Sequence, residues 1–158
     1  MRRKVVIAGT MVAAVAAGAV AVGAADARTQ TAAVTGRHIM VVEHAVSDTA
    51  VDTGPTGDSR GDLLAFANPV FDRGNTTRVG QDNGSCIRTV VGRAWECSWT
   101  TRLAKGSLVV GGPFYDKGDS TLAITGGTGA YSQARGVMHL HARNKNGTAY
   151  TFGFVVQR

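Results

Sequence analysis

Few residues in this chain have the type and setting to do chemistry. Glu43 ends the apolar run Ile39-Met40-Val41-Val42, and an ionisable group in such a strand is costly unless it is paired or put to use. Val41 and Ala45 share its strand face. If that face turns inward, the carboxylate loses water and its pKa climbs toward the range of a general acid or base. The competing reading leaves Glu43 in solvent or paired with an arginine such as Arg135. Cys86 and Cys97 flank Val90-Val91-Gly92-Arg93. A chain reversal between Val91 and Gly92 sets the two cysteines opposite each other across a hairpin, where a disulfide closing so short a loop adds about 3 kcal/mol. His139-Leu140-His141 places two imidazoles on one strand face, but no third ligand stands at a telling spacing; they read as solvated strand residues and no metal is expected. Ser85 lies in Asn-Gly-Ser-Cys rather than on a nucleophile elbow, and no Ser-His-Asp spacing supports a hydrolase.

The disulfide reading depends on the compartment. Residues 1–27 have the three parts of a secretory signal: cationic Met1-Arg2-Arg3-Lys4, an apolar run from Val5 to Val22, and small residues ending Ala25-Asp26-Ala27. A retained membrane helix is the weaker reading, because the run is rich in Ala and Gly and no cluster of Lys or Arg follows it. The expected mature protein is secreted, begins near Arg28 and stays off the membrane. In that oxidising setting an even pair of cysteines defaults to a disulfide. Residues 28–37 read as a flexible N-terminal segment and residues 38–158 as the folded domain.

The rest of the composition limits the answer further. A chain of 158 residues is one domain by length, and 44% hydrophobic against 18% charged residues places it among chains that fold. Gly is present 21 times and Pro only 3 times, with no three-residue period, which excludes collagen and favours short strands joined by many turns. The formal net charge is +6, but the only dense basic cluster is in the leader, so no nucleic-acid partner is expected. Short apolar or alternating runs recur at His38–Ser47, Leu63–Phe71, Thr77–Val91, Arg93–Leu103, Ser107–Gly112, Ser120–Thr125, Ala134–Arg143 and Thr148–Gln157. The loop Asp48–Arg60, rich in Asp, Thr and Gly, reads as mobile. Eight such strands with short connections bury one face most economically by closing into an up-and-down barrel, with room for packed side chains or one small ligand.

Several segments resemble a known barrel family. They are Gly61-Asp62-Leu63-Leu64-Ala65-Phe66-Ala67-Asn68, then Val79-Gly80 with Gly84-Ser85-Cys86, then Gly112-Pro113-Phe114, then Leu122-Ala123-Ile124-Thr125-Gly126-Gly127-Thr128-Gly129-Ala130-Tyr131 followed by Ala134-Arg135-Gly136. In order and spacing they are similar to the plant allene oxide cyclases and dirigent proteins, over about His38 to Val156. The resemblance implies an all-β fold, an eight-stranded antiparallel up-and-down, calycin-like barrel, commonly a homotrimer, with its pocket inside one end and no cofactor. It matches Glu43 to the cyclase's essential glutamate and Asn68 to the asparagine that helps hold a water on the substrate oxygen. Phe66, Phe114 and Arg135 become candidate substrate contacts; Arg135 matches the dirigent Ala-Arg-Gly arginine. The departures are equally definite. The cyclase's second asparagine falls on Ala45, its pocket tyrosine on Phe114 and its pocket cysteine on Cys86, while the paired dirigent aspartates fall on Ala67 and Asn68. Asn68, between Ala67 and Pro69, also reads as a strand-end turn residue.

Two functions compete on this reading. One is a cofactor-free barrel that directs a stereoselective cyclisation or coupling of a small, largely apolar or oxygenated ligand, Glu43 and Asn68 serving proton transfer or oxyanion support. The other is a non-catalytic barrel that binds a small ligand or a surface. Trp95, Trp99, Phe66, Phe152 and Phe154 read first as core or interface packing.

Overall fold

The computed structural model describes residues 36–157; the expected signal segment and most of the lead that follows it lie outside the described residues. Among the described residues nine strands form: β1 (Arg37–His44), β2 (Thr49–Val51), β3 (Leu63–Phe71), β4 (Arg78–Val90), β5 (Ala94–Leu103), β6 (Gly106–Tyr115), β7 (Ser120–Gly127), β8 (Arg135–Ala142) and β9 (Ala149–Gln157). All pairings are antiparallel, in the order β1-β9-β8-β7-β6-β5-β4-β3, and β1 returns to β3 to close the barrel. The strand expected over His38–Ser47 stops at His44. It resumes as β2, which pairs with Leu63–Ala65 of β3 while β1 pairs with Val70 and Phe71 of the same strand. Nine segments thus make eight staves, the first of them broken.

The break has a side-chain cause. Val46 and Ser47 donate their backbone N–H groups to Asn68 Oδ1 at 3.0 and 2.9 Å, and the Ser47 hydroxyl accepts from Ala67 N and donates to Ala67 O, both at 2.9 Å. Polar side chains thereby replace the missing rungs, as buried backbone groups require.

Alternation along the staves fills the interior. Trp95, Cys97, Trp99 and Thr101 of β5, Leu122 and Ile124 of β7, Met138 and Leu140 of β8, and Phe152, Phe154 and Val156 of β9 are all buried, every second residue pointing in. Burying a side chain the size of Phe152 contributes about 2–3 kcal/mol. Gly84 is required where it stands: a Cβ there would collide with Trp99 Cβ and Ser98 O, so its absence admits the Trp99 indole to the interior. The Gly-rich block makes the tight turn read from the sequence, β7 ending at Gly127 and Gly129 taking φ of 57° before the buried Tyr131.

Two connections differ from expectation. β6 continues through Gly112-Pro113 to Tyr115, because past Gly111 it pairs only with β5 and a proline there sits on a strand with one open side. The loop read as mobile is tied down: Asp62 accepts from Thr53 N, Ser59 N and Ser59 Oγ at 3.1, 2.7 and 2.9 Å, and Asp58 pairs with Arg88. Arg88 stacks its guanidinium 3.9 Å over the Trp95 ring and binds Asp116 through Nη1 at 2.7 and 2.8 Å, joining two loops at this end of the barrel.

Candidate functional site

A cavity of about 50 Å³ opens at the barrel end where β1, β3, β4, β5, β6, β8 and β9 converge. Its walls are Leu64, Phe66, Trp99, Phe114, Leu140, Tyr150 and Phe152, the Cys86–Cys97 disulfide, and two carboxyls, Glu43 and Asp48. The disulfide is formed as expected, between directly opposed residues of β4 and β5. Sites that enclose a drug-sized ligand run to roughly 300–1,000 Å³. This cavity takes a compact group, and the remainder of a larger ligand would lie against the half-buried Leu64, Phe66, Phe114 and Tyr150 at the rim.

Glu43 points inward and is 5% exposed. Burial pushes its carboxyl up to about 7, with the Asp48 carboxylate adding to the effect and the Asn68 amide opposing it. Asn68, fully buried, donates through Nδ2 to Glu43 Oε1 at 2.7 Å and to Asp48 Oδ1 at 2.6 Å. Its oxygen already holds Val46 N and Ser47 N, so every hydrogen-bonding position of the amide is taken. Asn68 therefore fixes Glu43 and the strand break together; it does not line the cavity.

Three residues at the site were absent from the sequence reading. Asp48 enters from the broken stave. Tyr150 faces Glu43 across the β1–β9 pair and meets Phe114 edge to face at 5.9 Å between ring centres; burial first, then Glu43 and Asp48, raises its phenol. The alternation Tyr150, Phe152, Phe154 carried that signal. Asp82 on β4 stands opposite Asn68 on β3 and Thr101 on β5. It is fully buried, and neither carboxyl oxygen has a hydrogen-bond partner among the described residues. Burial and the nearby Glu43 push it up to about 8.

The remaining candidates lie elsewhere. Arg135 opens β8 at the end away from Leu140, is exposed, and donates to Ala134 O at 2.8 Å and Thr125 O at 3.4 Å; it does not reach the cavity or Glu43. His139 and His141 are exposed on β8 and contact Thr121 and Asp119. Among the described residues no three His, Cys, Asp or Glu side chains are grouped as metal ligands.

No family model matches the chain, and no curated protein sequence matches it. Solved structures do. A pyocyanin demethylase superposes with a TM-score of 0.65 at 23% identity, over 73% of this chain and 98% of that one. The pterocarpan synthase dirigent protein PsPTS1 gives 0.61 at 17% identity, over 76% and 92%. The Diels-Alderase AbmU from Streptomyces koyangensis gives 0.57 at 10% identity, over 77% and 68%. These likenesses show the fold, a dirigent-type barrel, in agreement with the resemblance carried by the sequence motifs.

Proposed function

We propose that this barrel binds a small, largely apolar or oxygenated molecule at its open end and directs a stereoselective cyclisation or coupling without a cofactor, Glu43 moving the proton. One observation carries the reading: Glu43 is nearly sealed from water yet forms part of the cavity wall, held by Asn68 and with its ionisation brought near neutrality. A group so placed works efficiently as both acid and base, and apolar walls that hold one conformer supply much of the remaining barrier reduction by orientation. Dirigent proteins and a Diels-Alderase built on the same barrel are consistent with that division of labour. Asn68 serves by positioning Glu43, and Phe66 and Phe114 by contacting the ligand. Export rests on the character of residues 1–27 and a homotrimer on the family resemblance alone; both belong to this proposal.

The small cavity favours a second reading, a barrel that binds its ligand and does no chemistry. The two separate on a probe for a desolvated carboxylate base, 5-nitrobenzisoxazole. Glu43 takes the proton on C3, the C–H electron pair completes the nitrile, and the N–O bond breaks to leave the phenolate. We expect saturable turnover that rises with pH through about 7 and falls about 100-fold or more in Glu43→Gln. Equal turnover by the Gln variant overturns the catalytic reading.

A further inference from the structure

We propose that Asp82 is a positioning residue for Glu43, the two carboxyls holding one proton between them so that the barrel can take a proton from its substrate and return it within one turnover. The inference rests on the proposed role of Glu43 and extends it to a reaction class. Asp82 is fully buried and its two oxygens have no donor among the described residues. Its neighbour is another carboxyl: Asn68, directly opposite Asp82 across the β3–β4 pair, donates to Glu43 Oε1 at 2.7 Å, and each of the two acids bears on the other's ionisation. Two carboxylates present only acceptors to each other, so contact between them requires a proton on one of them.

Among the described residues no Lys, Arg or His bears on the ionisation of either carboxyl. The polar groups gathered here are the Asn68 amide from β3, the Thr101 hydroxyl from β5, the Tyr150 phenol from β9 and the Asp48 carboxylate from the broken stave. None is a cation. Asn68 gives its N–H groups to Glu43 and Asp48. The shared proton is therefore the natural partner for the second carboxyl, as in other closely spaced acid pairs.

Glu43 borders the cavity and Asp82 does not, which assigns the contact with substrate to Glu43 alone. In the resting pair one carboxyl is ionised. Glu43 accepts a proton from a C–H or O–H of the substrate, the freed electron pair forms the new bond, and the pair becomes doubly protonated. It then returns one proton to the basic atom that the rearrangement has exposed. Proton count is restored without solvent, which suits an isomerisation such as ring closure or tautomerisation rather than a hydrolysis.

The test is the infrared spectrum of the whole protein together with the pH profile of 5-nitrobenzisoxazole turnover. Wild type should show a carboxylic acid carbonyl band above roughly 1,700 cm⁻¹ at pH 7, where solvated carboxyls are ionised. Asp82→Ala should move the midpoint of the rate profile toward base by about one pH unit or more, because the protonated Asp82 that favours the ionised form of Glu43 is gone. A purely structural role would lower the rate at every pH and leave the midpoint in place. Absence of the band in wild type, or an unmoved midpoint in the variant, overturns the proposal. If Asp82→Ala fails to fold, Asp82→Val and the wild-type band decide. A band present alongside turnover indifferent to Glu43→Gln would leave the proton-sharing pair standing as a structural fact and refute both its catalytic use and the proposed function.

Discussion

Asp62 and Asp82 are the same residue type in nearly sealed positions, 6% and 0% exposed, yet their carboxyls shift in opposite directions. Asp62, just ahead of β3, collects the N–H groups of Ser59 and Thr53, the Ser59 hydroxyl and the nearby Arg88 charge, and these donors hold it below the usual carboxylate range. Asp82 has no donor among the described residues and a second carboxyl for a neighbour, and it is pushed up. Burial alone does not decide the ionisation of an acid; the supply of donors does. One end of the barrel spends its aspartates on fastening loops, while beside the adjoining cavity Asp82 stands without a donor.

The contrast is broken most severely by Asn68→Asp. That change removes the two Nδ2 donors and inserts a further carboxyl between Glu43 and Asp48. We expect a loss of about 4 kcal/mol at pH 8 in urea denaturation, shrinking at pH 5 as the carboxyls protonate. An equal loss at both values would trace the effect to the strand break and not to charge.

Arg88→Met tests the fastened end. The methionine keeps an apolar stem on Trp95 but leaves Asp58 and Asp116 without their cation. About 3 kcal/mol should be lost at pH 7, less than for a fully buried pair because Asp58 is 37% and Asp116 24% exposed. Stability unchanged in urea would show that the loops are fastened without this residue.

A third effect is in the wild type itself. Glu43 and Asp82 titrate near 7 and 8 in the fold, above their ordinary values. The native protein then binds more protons than the unfolded chain between about pH 4 and 8, and their contribution is complete below that window and lost as pH rises through it. Asp62 and Asp72, held low by backbone donors, act oppositely, contributing above about pH 4 and failing below it. Stability should be greatest near pH 5 and fall steadily toward pH 8.5, measured by urea denaturation across that range. A flat profile would remove the distinction between the two regions.

The staves were legible because most of them alternate: Trp95, Cys97, Trp99 and Phe152, Phe154, Val156 mark their inner faces in the sequence alone. The disulfide was legible from the hairpin spacing. Glu43 stood out as a charge closing an apolar run. Asp82 did not, because the inward positions of β4 are Asp82, Gly84, Cys86 and Arg88, which form no hydrophobic alternation and so announce no face. The broken stave was illegible for another reason: the rungs that replace its backbone pairing come from Ser47 and from Asn68, a residue 21 positions further along the chain and on the next strand. Arg135 was matched by motif, but a motif fixes position along a strand and not which end of the barrel that strand presents.

The pairing of β1 with β9 runs from Arg37 opposite Val156 to His44 opposite Ala149. It joins the two ends of the described chain, and contacts of such separation form late because the intervening loop must first be closed. The hairpins from β3 to β8 can assemble while synthesis continues, whereas Glu43 gains its wall only when Tyr150 and Phe152 arrive. A polypeptide truncated ahead of Ala149 would leave Glu43 without Tyr150 and Phe152 and open to water, so the burial that raises its carboxyl is acquired only with β9.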